Sequence, residues 1–197
     1  MRIYLFFIGM ICSAAGIFSC NQHPANQKDA ANDSNAARFK QHSRNAVSAT
    51  LEGDARFAVD AAGSGMAAVE LGTTASDRAL EKPVRQLGDS MAHNYSNATA
   101  ALKRIAETKK ISLPAAPADG NRLREMRALK GRAFDDRYLK QVKQMHSDDI
   151  ELFKRYISAG KDSDLLHWAI LRLPVLEQGL EYVKQVDSLV AQQRRTY

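Results

Sequence analysis

The amino-acid sequence predicts an all-α fold, an antiparallel four-helix bundle with a short extra helix between the second and third long helices. Four stretches repeat apolar residues at alternating spacings of three and four, which places those residues on one face of a helix. Most of the breaks between these stretches are short, and short connections join neighbouring helices as antiparallel pairs. No stretch alternates apolar and polar residues as a half-buried β-strand does.

The first long helix is predicted to begin at Asp54, because aspartate is a favoured N-cap residue. Glu70 lies four residues after Met66 on the apolar face, so it is either a carboxylate beside the buried seam or a surface residue at the edge of that face. The helix is also rich in glycine, which lowers helix propensity and therefore indicates the close approach of a neighbouring helix. These glycines are Gly63, Gly65 and Gly72.

The second long helix is predicted to begin at Pro83, since proline suits the first helical position. Its apolar face contains Tyr95. The loop 111–120, with two prolines, then interrupts the helical pattern, and the short extra helix is expected over 121–131.

The third long helix is predicted to begin at Asp135, and the fourth at Asp164, for the same reason as the first. The stretch KQMHSDDIELF, residues 143–153, places His146 on the buried face of the third helix. Asp149 lies three residues further on, close to the same face.

The first 19 residues predict an export signal, because a basic residue precedes an apolar run of about 16 residues, which is too short to span a membrane. The run ends at residues 17–20, Ile-Phe-Ser-Cys, which resemble the lipobox of bacterial lipoproteins, where the cysteine is acylated and becomes the N-terminus. Cys12 is the only other cysteine and lies within the signal, so the mature chain would carry one thiol, on Cys20. The alternatives are a signal peptide cut elsewhere and an uncleaved anchor.

Residues 20–50 are predicted to form a flexible tether from the acylated Cys20, because they are rich in Asn, Ala, Gln and Ser and contain few large apolar residues. The remainder, 51–197, has the size of one bundle domain. Together these features predict an exported lipoprotein that is anchored in the outer membrane and faces the periplasm.

The formal net charge is +6, and much of the excess lies between Arg122 and Lys143, where eight basic residues stand among three acidic ones. Export argues against a nucleic-acid partner, and aromatic residues are not interleaved with the basic ones as a stacking surface for bases requires. The run predicts a solvated basic face. Contact between that face and anionic polymers or lipid head groups of the envelope is the second interpretation.

Several segments between residues 54 and 190 resemble a bacterial family of exported, ferritin-like four-helix proteins of unknown function. The most specific pieces are Phe134-Asp135-x-x-Tyr138 with His146 behind it, and Leu173-Pro174. Members of that family commonly carry a glutamate in the first helix and a histidine in each of the other three, pointing into the bundle. Such a donor set suits iron, zinc or copper.

The resemblance places Glu70 and His146 in two of these four positions, whereas Tyr95 and Gly179 occupy the places of the two other histidines. Two ligands are fewer than the three or four that a metal site needs, although Tyr95 or Asp149 could help. The Glu-x-x-His pairs of di-iron ferritin-like proteins are absent from the sequence.

The sequence therefore favours a non-catalytic envelope lipoprotein without a cofactor, whose bundle acts in binding or in envelope or stress physiology. In that interpretation His146 is a buried residue that is hydrogen-bonded to Glu70 or Tyr95. The alternative is a metal-binding or metal-storing bundle that uses Glu70 and His146, helped by Tyr95 and Asp149. A hydrolase with His146 as base is a third hypothesis, but the sequence contains neither Gly-x-Ser-x-Gly nor a phosphate-binding loop.

Overall fold

The computed structural model of the chain describes residues 24–42, 45–118 and 120–195. This described part contains six helices and no β-strand. The helices are α1 (Pro24–His42), α2 (Asn45–Arg78), α3 (Lys82–Lys109), α4 (Gly120–Ala128), α5 (Gly131–Ala159) and α6 (Ser163–Gln193). The prediction of an all-α bundle is confirmed, and α4 is the short extra helix expected between the second and third long ones.

The four long helices, α2, α3, α5 and α6, share one apolar core. Helix α2 packs against α3 and α5, and α6 packs against α5 and α3. Only residues 79–81 connect α2 to α3, and only 160–162 connect α5 to α6, so each of these pairs is antiparallel. The largest fully buried side chains include Tyr138, Phe134, Leu71, Leu102, Met126, Leu139, Leu165 and Leu176.

Helices α2 and α3 approach each other at a pair of glycines. A Cβ atom on Gly72 would lie 2.6 Å from the carbonyl oxygen of Gly88, and a Cβ on Gly88 would lie 2.6 Å from that of Gly72. Backbone atoms cannot give way as a flexible side chain can, so both positions require glycine. The close helix contact that the sequence predicted at Gly72 is confirmed, with Gly88 as its partner.

All three aspartates that were predicted as N-caps, Asp54, Asp135 and Asp164, lie inside their helices, so these predicted helix starts are wrong. Asp54 lies inside α2, where its buried carboxylate accepts hydrogen bonds from the Tyr156 hydroxyl (2.8 Å) and the Lys161 backbone N–H (3.0 Å). The N-cap of α6 is Asp162, whose side chain accepts from the backbone N–H groups of Asp164 and Leu165.

Asp135 was predicted to cap the start of its own helix, α5. It instead caps the start of α3. Its two oxygens accept hydrogen bonds from the backbone N–H groups of Leu80 (3.0 Å) and Glu81 (2.9 Å), and the side chain is fully buried. Since the first N–H groups of a helix have no partner within it, this carboxylate satisfies α3 from across the bundle. The buried Phe134 beside it thus belongs to a segment that ties α5 to the start of α3.

The prediction of a flexible tether over 20–50 is wrong for residues 24–42, which form α1 and pack against α2. Asn35 is 2% exposed, and its amide pairs with both backbone groups of Ser112, at 2.9 and 2.7 Å. Phe39 is 8% exposed. The small alanine and asparagine side chains of α1 allow close packing without a large apolar face, which explains why composition did not predict the helix.

The predicted signal peptide, 1–19, and Cys20 lie outside the described residues. Within the described part, none of the helices combines the length and the apolar character that crossing a membrane requires.

Candidate functional site

A polar cluster inside the bundle takes one residue from each long helix: Ser64 (α2), Tyr95 (α3), Asp149 (α5) and Arg172 (α6). Tyr95 and Asp149 are buried, whereas Ser64 and Arg172 are half-buried. The Ser64 hydroxyl donates to one oxygen of Asp149 at 2.6 Å, and the Tyr95 hydroxyl donates to the other at 2.9 Å. The Arg172 guanidinium lies over the Tyr95 ring, 4.9 Å from its centroid. Asp149 thereby links α5 to α2 and α3 through hydrogen bonds.

Burial dominates the electrostatics of this cluster. It raises the pKa of Asp149 from its ordinary 3.8 to about 6, although the two hydroxyls and the positive charge of Arg172 oppose the rise. Burial and the neighbouring Asp149 carboxylate raise the pKa of Tyr95 well above its ordinary value, so its hydroxyl is the proton donor of the pair. Burial also lowers the pKa of Arg172.

His146 lies one turn before Asp149 and is 4% exposed. Its Nδ1 atom donates to the backbone carbonyl of Val142 at 2.9 Å, and burial lowers its pKa, so the ring is neutral at pH 7. The expected hydrogen bond to Glu70 or Tyr95 is wrong. Tyr95 meets the imidazole only edge to face, with 5.8 Å between ring centroids, and donates its hydroxyl to Asp149 instead.

The other edge of the His146 ring packs against α6 at Gly179. A Cβ atom on Gly179 would lie 2.6 Å from His146 Nε2 and 2.9 Å from Cδ2. In this chain the imidazole therefore fills the space that a side chain at position 179 would need.

Glu70 is not part of this cluster. Its carboxylate accepts from the Arg127 guanidinium of α4 at 2.5 Å, and its side chain is partly exposed. The sequence left open whether Glu70 lies beside the buried seam or at the edge of the apolar face, and the structure places it at the edge. Nowhere in the described ranges do three His, Cys, Asp or Glu side chains gather in a way that could hold a metal ion. Of the sequence candidates, the fold thus joins Tyr95, His146 and Asp149 and separates Glu70 from them.

The sequence did not predict Ser64 or Arg172 as site residues. The spacing of apolar residues could have identified Arg172. It follows Leu165 and Ala169 and precedes Leu176, three residues that the structure buries on one stripe of α6. A charged residue on a buried stripe indicates a polar partner inside the bundle. Ser64 stands between two glycines, but nothing local distinguishes it from a small packing residue.

A cavity of about 330 Å³ lies beside the cluster, between α1, α2, α4 and α5. Ser64 and Asp149 form part of its wall. The polar cluster is consequently in contact with a space large enough for a small molecule.

The predicted basic face is partly neutralised within the molecule. Arg127 pairs with Glu70, Arg137 with Glu125 at 3.5 Å, and Lys143 with Asp187 at 2.6 Å. These pairs reduce the excess positive charge that the run between residues 122 and 143 presents to solvent.

The fold is an all-α bundle whose interior contains a hydrogen-bonded polar cluster. The family model for the domain of unknown function DUF4142 matches residues 36–186, so the chain belongs to that family. Its fold is similar to the crystal structure of a secreted DUF305 protein from Streptomyces coelicolor, with a TM-score of 0.61, 18% identity, and coverage of 71% of this chain and 91% of that chain. None of the curated proteins matches this chain.

Proposed function

We propose that this protein is an exported lipoprotein, anchored in the outer membrane through an acylated Cys20 and facing the periplasm, whose helical domain binds a molecule rather than catalysing a reaction. The observation that carries the binding role is that the polar groups of the interior are held by the fold. Both oxygens of Asp149 accept hydroxyl groups from other helices, and His146 is fixed between the Val142 carbonyl and Gly179. The imidazole of His146 has the Val142 carbonyl as its hydrogen-bond partner among the described residues, whereas a histidine base in hydrolytic catalysis is paired with a hydroxyl or thiol nucleophile.

The sequence around Cys20 supports the anchor, and the chain provides its own control. Cells expressing the protein are grown with an alkyne analogue of palmitate, and the label on the purified protein is measured together with its distribution between membrane and soluble fractions. We expect labelling and membrane association in the unaltered protein and in Cys12→Ser, and loss of both in Cys20→Ser. Membrane-bound but unlabelled protein would indicate an uncleaved anchor, and soluble, unlabelled protein would indicate an ordinary signal peptide; either result contradicts the proposal.

We further infer that the domain is a ferritin-like bundle in which the polar cluster replaces a metal site. A guanidinium, Arg172, already supplies positive charge near the Asp149 carboxylate, and Glu70 is engaged with Arg127. Protein produced with added iron, zinc or copper should contain less than stoichiometric metal by elemental analysis. A stoichiometric metal that is lost in His146→Ala would instead establish the metal-binding alternative.

A further inference from the structure

The cavity beside the polar cluster has an apolar wall and an acceptor-rich polar end. Leu71 of α2, Leu123 of α4, and Met145 and Leu152 of α5 supply apolar surface. Its volume, about 330 Å³, falls at the lower end of the range for small-molecule sites, roughly 300–1,000 Å³. It therefore suits a compact ligand with an apolar body.

The charge at the polar end is negative and is not balanced by a direct ion pair. Within the described chain, Asp149 accepts hydrogen bonds only from the neutral hydroxyls of Ser64 and Tyr95. Arg172 influences Asp149 through its charge, but the ion pairs found among the described residues do not include one between them. A buried carboxylate without a cationic hydrogen-bond donor is stabilised strongly when a cation reaches it.

The remaining charges of the cavity wall leave the carboxylates in excess. Lys28 is paired with Asp60, and Arg155 is paired with Glu151 at 3.7 Å. With Asp148 and Asp149 also on the wall, the lining carries three carboxylates against two cations. An anionic ligand is therefore disfavoured here and a cationic one is favoured.

We propose that this cavity binds a small primary amine with an apolar body, whose ammonium group donates a hydrogen bond to Asp149 while its hydrocarbon part packs on Leu71, Leu123, Met145 and Leu152. An ammonium group is a cation with three donors and no acceptor, which matches a carboxylate whose hydrogen-bond donors are both neutral hydroxyls. The inference rests on the binding role proposed above and is independent of the acylation of Cys20.

The test is a calorimetric titration of the purified full chain in detergent with three ligands of similar size: phenethylamine, 2-phenylethanol and 3-phenylpropanoate. At about pH 7.5 the Asp149 carboxylate is ionised, because its pKa is about 6. We expect saturable binding of phenethylamine to one site, at least tenfold weaker binding of the alcohol, and no saturable binding of the carboxylate. Equal affinities for the amine and the alcohol would overturn the proposal.

Three variants locate the site. Ala67→Phe fills the cavity from its wall and should abolish amine binding, whereas Ala191→Phe places the same side chain on the exposed end of α6 and should leave binding unchanged. Asp149→Asn should reduce the affinity for the amine to that for the alcohol without changing the latter. If Asp149→Asn does not fold, the unaltered protein is titrated at about pH 5, where protonation of Asp149 should reduce the amine affinity about tenfold and leave the alcohol affinity unchanged.

Unchanged amine binding in Ala67→Phe would place the ligand elsewhere and refute the proposal. Partition of the ligands into detergent is the same for every variant and cancels in these comparisons. Failure of the palmitate labelling would leave the titration result unaffected, so the proposed anchor and the proposed ligand class fail separately.

Discussion

Replacing Asp149 by asparagine should remove a large pH-dependent contribution to the stability of the domain. Asp149 is 4% exposed, and its pKa in the folded protein is about 6, against an ordinary value of 3.8. A folded chain that binds a proton more tightly than the unfolded chain gains stability as pH falls. This stability is fully present below about pH 4 and is lost as pH rises through about 6.

The pKa difference of about 2 corresponds to about 3 kcal/mol in the free energy of unfolding. Asparagine has nearly the same shape, can accept from the Ser64 hydroxyl and can donate to the Tyr95 oxygen, so it keeps the hydrogen bonds while it removes the charge. The stability of Asp149→Asn relative to the unaltered protein should therefore increase by about 3 kcal/mol between about pH 3.5 and pH 7.5.

Urea denaturation followed by helical circular dichroism measures both proteins at each pH. His146 titrates in the same range, and its lowered pKa acts in the opposite direction, favouring the folded state at higher pH. Asp149 is not among the groups that shift the pKa of His146. The contribution of His146 to stability is therefore the same in both proteins and cancels in their difference. The charged groups that act on Asp149 are Arg172 and Asp148, and they too are present in both proteins. A stability difference that stays constant within about 0.5 kcal/mol across this range would refute the reasoning.

Three further substitutions test other parts of the structure. Asp135→Ala should lower the free energy of unfolding by about 2–4 kcal/mol, since two backbone N–H groups at the start of α3 lose their acceptor; a loss below about 0.5 kcal/mol in urea denaturation would contradict this role. Gly179→Ala should lower the free energy of unfolding by about 1–3 kcal/mol, because the new methyl group meets His146. This loss should largely disappear when His146→Ala is also present. Additive effects in the double-mutant cycle would argue against the contact. Phe39→Ala should weaken the packing of α1 on α2 by up to about 3 kcal/mol. Amide hydrogen exchange should then become faster in α1 and change little in α5. Equal protection of α1 in both proteins would show that α1 does not depend on this side chain.

The apolar spacing predicted the helices and the buried faces well, because burial along a helix follows a period that can be seen in one segment alone. It placed Tyr95, His146 and Asp149 in the interior. It could not decide their partners, since a rotation of one helix by part of a turn exchanges which polar side chains meet. Glu70 and Arg172 illustrate this limit: the glutamate pairs with Arg127 of α4 at the edge of the bundle, while the half-buried arginine lies over the Tyr95 ring.

Contacts between distant parts of the chain could not be predicted from the spacing of residues within one segment. The cap that Asp135 provides for α3 joins residues more than 50 positions apart, and the pairing of Asn35 with Ser112 joins residues 77 apart. Composition described residues 24–42 as too polar to fold alone, which is consistent with a helix that gains its stability from docking on α2 rather than from its own sequence.

The docking of α1 also limits how far the domain can move from a membrane anchor. A free tether of about 30 residues would give a typical reach of about 30 Å. With α1 beginning at Pro24, only four peptide units separate it from Cys20, and they span at most about 14 Å. An acylated Cys20 would therefore hold the domain close against the lipid surface, and Lys28, at the edge of the cavity and one helical turn past the start of α1, would remain within about 20 Å of the bilayer. With the proposed anchor, so short a connection would favour ligands that collect at the membrane surface, and an anionic lipid surface attracts amines with an apolar body.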